Sequence, residues 1–437
     1  MDVWLSIVGF LVVFAIIFSI MSKKLTTMIA LAVIPLIGAI LVGQFQNIPA
    51  MVAAGISKVA VNGVMFFFAI LFFGTMMTAG AFDPIVKAIV KACGGNPLAI
   101  CIGTYILSTV GHLDGSATTT VLLVCGTMVP IYKKMGMRLR NLAAILGMAA
   151  GLMNMSPWGG PTLRAATVME ADLTAFFQPM FVPIVITWAI GLIPTVLLGL
   201  NEKKRLAAQN VNVSAAEIAA AAERTPEEIE MLRPKMTVIN ILLIIAVVAL
   251  MISGILSPAA AFLIGTAAAW IVNYRSAADQ KKIMIQHGPN AVFVVSALYG
   301  AGVLMGVLSQ SGMAAAMANT LVSIIPASMT KFVPILVGIF ATPLSMIFDA
   351  DTFYYGILPV LTQSASALGI SGAGICYAAL VGQLTLGWSI TPLTPATLLM
   401  CGMCDLDLGE HQKYSLRFVW PLSIVLLIIL AIFGLII

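Results

Sequence analysis

Charge is what this sequence lacks. Only 9% of its 437 residues are Asp, Glu, Lys or Arg, 22 basic and 17 acidic, while 61% are hydrophobic. A soluble domain carries about 25% charged residues and about 45–50% apolar ones, so these charges are too few to cover a water-soluble fold. A soluble enzyme, a disordered chain and a nucleic-acid binder are excluded on that ground. Histidine is scarce as well, at three residues, and neither HExxH nor a nucleophile–base pair is present to support a membrane-embedded enzyme. The six cysteines build no disulfide scaffold. Cys93, Cys101, Cys125 and Cys376 lie in or beside apolar runs, where a thiol acts as a small hydrophobe. Cys401 and Cys404 form a CxxC without a second pair, which reads as packing near the membrane rather than a zinc or redox site. The first 21 residues lack a basic leader and a small-residue cleavage site, and read as a first span.

What is abundant is apolar sequence of membrane-spanning length. A crossing helix needs about 20 mostly apolar residues. Full-length candidates run 4–21, 26–43, 59–80, 141–163, 175–200, 237–254, 259–274, 288–310, 373–398 and 416–437. Residues 98–131 and 332–368 are each too long for one span and are split by a polar centre. Their short legs read as helical hairpins that enter and leave on one face. With the N-terminus outside, all 22 Lys and Arg fall on the cytoplasmic side except Lys58, Lys331 and the embedded Arg164. The hydrophilic segment 201–236 reads as a cytoplasmic linker between two membrane halves, 1–200 and 237–437.

The halves share residues at a fixed offset of 235. Asp114 matches Asp349, Gly147 matches Gly382, Pro157 matches Pro392, Thr162 matches Thr397 and Asp172 matches Asp407. An odd number of crossings per half inverts the second copy. The expected fold is therefore an all-α polytopic membrane protein of two inverted-topology repeats, about ten spans plus two re-entrant hairpins, each repeat with a broken helix (141–163 and 373–398). Secondary transporters are built this way, with the site near the midplane where the repeats meet.

Four polar islands interrupt the apolar sequence. The first hairpin tip carries His112, Asp114, Gly115, Ser116, Thr118 and Thr119, and its partner carries Asp349, Asp351 and Thr352. The first helix break carries Asn154, Ser156, Gly159, Gly160 and Thr162, followed by Arg164, and the second carries Ser389, Thr391, Thr394 and Thr397. Irregular backbone survives at membrane depth only where protein or water satisfies it. These breaks thus offer helix N-termini for anions and loose carbonyls for cations. An ionised side chain at the bilayer centre costs about 2.5–3.5 kcal/mol or more. His112, Asp114, Asp349 and Asp351 are accordingly candidates for proton or ion coupling, against the plainer reading that they pair with one another. Arg164 reads as a bidentate clamp for a substrate carboxylate or as a snorkelling side chain. The neutral residues read as substrate ligands as a group, although a single mid-span Ser or Thr often bonds only its own helix. An ion channel is the rival class, and it predicts single-channel currents without accumulation against a gradient.

The same islands carry a family resemblance. Leu113-Asp114-Gly115-Ser116, Pro157-Trp158-Gly159-Gly160 with Arg164-Ala165-Ala166, the run from Asp351 to Pro359, and Gly409-Glu410-His411-Gln412-Lys413 resemble the citrate–metal complex transporters (CitMHS family, ion transporter superfamily). The likeness covers nearly the whole chain. It implies a proton-coupled symporter in the bacterial inner membrane that takes up citrate with a divalent metal, Mg2+ or Ca2+, and holds no permanent cofactor. It also implies a homodimer in lipid whose transport domain moves against a scaffold as an elevator. Asp114 and Asp351 could complete the metal's oxygen shell. The alternative is a sodium- or proton-coupled carrier of a free di- or tricarboxylate. Asp349-Ala350 and Leu386-Gly387-Trp388-Ser389 depart from the family's pattern.

Overall fold

A computed structural model describes residues 2–22, 24–208, 226–253, 255–324 and 332–436. Lys23, Lys331 and most of the linker lie outside them. Among the described residues every regular element is helical. The first half runs α1 (Asp2–Met21), α2 (Thr27–Leu41), α3 (Ile48–Thr78), α4 (Asp83–Cys93), α5 (Pro97–Gly111), α6 (Ala117–Lys134), α7 (Leu139–Met153), α8 (Gly160–Val168), α9 (Leu173–Phe177) and α10 (Phe181–Ala207). A short α11 (Pro226–Met231) leads into α12 (Thr237–Ile252), α13 (Pro258–Asn273), α14 (Ala277–Gln310), α15 (Met313–Ile324) and α16 (Val333–Leu344). The chain ends with α17 (Leu358–Ala367), α18 (Gly372–Leu380), α19 (Pro395–Met403) and α20 (Leu408–Ile432). Among the described residues six helical stretches, Val3–Ile20, Phe45–Thr78, Leu173–Ala207, Ile229–Met251, Ala291–Gln310 and Leu408–Ile432, are long and apolar enough to cross a membrane. The protein is a multi-pass membrane protein.

The helices pack in two groups, each drawn from both halves of the chain. One gathers α1, α2, α3 and α12 to α15 around the long pair α3 and α14. These two approach at glycines: a Cβ on Gly55 would lie 2.0 Å from the Gly302 carbonyl oxygen, and one on Gly306 would lie 2.1 Å from that of Met51. Small residues at such crossings bring backbones into close contact where lipid supplies no hydrophobic drive. The other group gathers α4 to α10 and α16 to α20. Contacts between the groups are fewer: α15 on α17, α1 on the turn before α17, and α3 on α8. An ion pair from Lys58 to Glu170 and a 3.3 Å bond from Asn62 to the Thr167 hydroxyl cross that seam.

α3 and α14 each begin about eleven residues before the apolar windows 59–80 and 288–310, because a helix continues past the lipid while hydropathy registers only its apolar part. At about 1.5 Å per residue they are well over the ~30 Å hydrocarbon thickness. The amphipathic α4 and the short α15 were not legible as spans. Both long stretches split where the polar centres are. α5 turns at 112–116 into α6, and α16 turns at 345–351 into a π-helical segment, Thr352–Ile357, that leads into α17. Both broken helices are interrupted. α7 stops at Met153 and α8 starts at Gly160, as the proline and glycine pattern anticipates. The second interruption begins earlier than expected, at Val381, and contains the 3₁₀ segment Leu386–Ile390. Its start is backbone-strained, with Leu384 in the left-handed region at φ 52°. Glu170 and Asp405, 235 residues apart, are also non-glycine residues at φ 52°, and each stands two residues before an aspartate, Asp172 or Asp407, that N-caps the next helix.

Candidate functional site

The first hairpin tip is built by short-range bonds. Asp114 Oδ1 accepts the Ser116 N–H at 2.9 Å, and the positive φ of Gly115, 68°, closes the turn. Ser116 N-caps α6, its Oγ accepting from Thr119 N at 3.3 Å and from the Thr119 hydroxyl at 2.9 Å. The Thr120 hydroxyl lies 2.7 Å from His112 Nδ1, 2.8 Å from the Ser116 carbonyl oxygen and 3.2 Å from that of Gly111. The other ring nitrogen, Nε2, has no hydrogen-bond partner among the described residues. The ring is fully buried and stacks on Trp388 of the second break, centroids 6.1 Å apart and planes 7° apart.

The first break is tied to both neighbours. Trp158 Nε1 donates to the Leu113 carbonyl at 2.7 Å, joining the break to the hairpin tip. Asn154 Nδ2 donates to the Leu384 carbonyl at 2.7 Å, joining it to the second break. Gly159 is obligatory: a Cβ there would sit 2.1 Å from the Asn154 oxygen. Trp158 also packs on Phe73 and Phe262 of the other helix group, at 5.1 and 5.9 Å.

Arg164 and Asp351 find each other across 187 residues of chain. The guanidinium puts Nε at 2.8 Å and Nη2 at 2.7 Å on one carboxylate oxygen, and it lies 5.8 Å from the Tyr355 ring. Their side chains are 11% and 10% exposed, so Arg164 neither snorkels nor stands free. Asp349 is engaged locally, accepting the Thr352 N–H at 2.8 Å and the Thr352 hydroxyl at 3.0 Å.

The neutral candidates divide. In the second break the hydroxyls serve their own backbone: Thr397 donates to the Trp388 carbonyl at 2.6 Å, Thr394 bonds Thr397 at 2.8 Å, Thr391 accepts the Leu393 N–H and Ser389 reaches the Leu386 carbonyl. Thr118 is exposed on α6. In the first break the hydroxyls of Ser156 and Thr162 are buried without partners. Together with His112 Nε2 and Trp388 Nε1 they make up the buried side-chain nitrogens and oxygens that find no hydrogen bond among the described residues. Each such group costs about 1–3 kcal/mol if left unsatisfied. All four lie on the first hairpin tip and the two breaks, an arrangement able to bind a polar ligand or water.

Sequence reasoning missed the supports of this site. Ser345 Oγ holds the Leu384 N–H at 2.9 Å, Gln383 Nε2 donates to the Phe348 carbonyl at 3.1 Å, and Tyr354 OH donates to the Gln383 carbonyl at 2.8 Å. Gln383, polar within an apolar run, was the available signal. Among the described residues no three His, Cys, Asp or Glu converge as a metal site. A cavity of about 480 Å³ lies at the start of α20 beside Glu410, Gln412 and Lys413.

The profile of the CitMHS family, described as citrate transporter, matches residues 13–382. A citrate transporter of Bacillus subtilis is 35% identical over 99% of both chains. A Mg(2+)/citrate complex secondary transporter of the same organism is 34% identical over 94% of both. The YdaH transporter of Alcanivorax borkumensis shares the fold, with a TM-score of 0.62 at 17% identity over 89% of this chain and 88% of that one. MtrF of Neisseria gonorrhoeae does so with 0.58 at 14% identity, over 89% and 84%. The family and its relatives are transporters, not enzymes, and the chain belongs to the CitMHS family of citrate transporters.

Proposed function

We propose that the protein is a secondary transporter that takes up citrate as a divalent metal complex by proton symport. The observation that carries the proposal is the set of buried, unpartnered groups of His112, Ser156, Thr162 and Trp388, beside the Arg164–Asp351 pair. Citrate at neutral pH carries about three negative charges, and a hard divalent cation reduces this to about one while taking its oxygens from the citrate itself. Such a complex needs few protein ligands. Asp114 and the second carboxylate oxygen of Asp351 are offered to the metal, and Arg164, whose Nε and Nη2 hold Asp351, offers its remaining nitrogen, Nη1, to a citrate carboxylate. Asn154, Ser156, Thr162 and the tip of α6 offer neutral hydrogen bonds. The coupling proton is carried within the group His112, Asp114, Asp349 and Asp351.

The element order supports an inverted repeat with re-entrant hairpins. α5 and α16 have 15 and 12 residues, short of a full crossing at about 1.5 Å per residue. The two helix groups with their sparse seam support a scaffold and a moving transport domain working as an elevator in the bacterial inner membrane, N-terminus outside, as a homodimer. The repeats 1–200 and 237–437, joined by the cytoplasmic segment 201–236, each contribute helices to both groups.

Uptake of labelled citrate into proteoliposomes tests the proposal. Accumulation is expected with Mg2+ or Ca2+ and an inward proton gradient, and background uptake is expected with chelator or a collapsed gradient. Undiminished uptake in chelator defeats the metal complex, and sodium dependence defeats proton coupling.

A further inference from the structure

The two helix breaks match in sequence but not in how their carbonyls are used. In the second break the Trp388 carbonyl takes the Thr397 hydroxyl at 2.6 Å. The next two carbonyls take donors from α20. His411 Nε2 lies 2.7 Å from the Ser389 oxygen, and Gln412 Nε2 donates to the Ile390 oxygen at 2.9 Å. His411 is 1% exposed, and with Nε2 donating, its Nδ1 accepts from Ser415 Oγ at 3.2 Å. Both ring nitrogens are thus committed, the second by the first.

At the offset of 235 residues, Ser389 and Ile390 correspond to Asn154 and Met155, while His411 and Gln412 correspond to Phe176 and Phe177. Phenylalanine donates nothing. Among the described residues no hydrogen bond reaches the carbonyls of Asn154 and Met155. A hard cation is bound by convergent oxygens, and an N–H aimed at a carbonyl presents its positive end where that cation would sit.

Resting on the transport reading above, we infer that His411 and Gln412 close the second break to cations, so that the protein keeps a single cation position, at the first break. His411 and Gln412 are positioning residues. They hold the second break shut and leave the first as the place where cargo metal is read. The chain then has no sodium site of the kind a second open break would supply.

The test uses purified full-length protein and two readouts, the thermal unfolding midpoint and proteoliposome uptake, with NaCl compared against choline chloride. Wild-type protein is expected to show no sodium-dependent rise in midpoint, and one calcium carried per citrate in dual-label uptake. His411→Ala frees the Ser389 carbonyl and opens space beside it. It is expected to gain a sodium-dependent rise of about 3 °C, the size ligand linkage gives for a weak site, and sodium-stimulated uptake. His411→Gln, which can still donate, is expected to behave as wild type. Gln412→Ala, beside the α20 cavity, supplies the same test if His411→Ala does not fold. A sodium response in wild type, or two calcium ions per citrate, overturns the inference, as does a folded Ala variant without a sodium response. Failure of wild type to transport citrate at all counts against the transport reading, and the thermal readout still decides the cation question.

Discussion

Asp351→Ala is expected to lose about 3–5 kcal/mol of stability, the loss that follows when one partner of a buried ion pair is removed and the other stays. Arg164 would remain charged, about nine-tenths covered, with nothing on its fork. Two further variants separate structure from transport. Asp351→Asn keeps an acceptor for the guanidinium and is expected to fold while uptake falls to background. The double variant Arg164→Met with Asp351→Leu replaces the pair by apolar side chains, which at buried sites is often neutral or stabilising. It is expected to regain the wild-type melting midpoint without regaining uptake. Thermal melts and proteoliposome uptake of the same preparations check both. Wild-type uptake by the double variant would reduce the pair to a structural fastening and remove it from the site.

The second large effect is expected at Gly159→Ala. The added methyl would meet the Asn154 oxygen at 2.1 Å, and that neighbour is backbone. Relief requires the first break to reshape, moving Ser156 and Trp158 with it, at a cost of about 1–3 kcal/mol typical of overpacking. Uptake is expected to fall to background even where the protein is still recovered folded. Gly126→Ala is the control. It stands in α6 with nothing within 4 Å, so alanine there is expected to stabilise the helix by about 0.5–1 kcal/mol and leave uptake unchanged. Equal behaviour of the two variants would deny the first break its role.

Local physics explains what could be read from the chain alone. Hydropathy locates the spans because lipid contact acts residue by residue. Pro157, Gly159 and Gly160 announce the first break because each alters the backbone it stands in. The polar islands were legible as islands for the same reason. Their division was not. Ser156 and Thr162 look like Thr391 and Thr397 in sequence, yet the first pair is unpartnered and the second is used up in holding its own loop. That difference depends on what packs nearby, as does the meeting of Arg164 with Asp351. The early start of the second break, at Val381, rests on Ser345 and Gln383, whose partners lie some 35 to 39 residues away. No window of sequence contains both ends of such a bond.

Trp158 gives the molecule an optical property. It is one of six tryptophans. Its ring nitrogen is bound inside one helix group, while its ring packs on Phe73 and, in a T-shaped contact, on Phe262 of the other. Any sliding of the groups must carry the indole off those two rings and change the polarity around it. The wavelength and intensity of its emission would follow that displacement without an attached dye. A chain whose other five tryptophans are replaced by phenylalanine would report the seam by its own fluorescence.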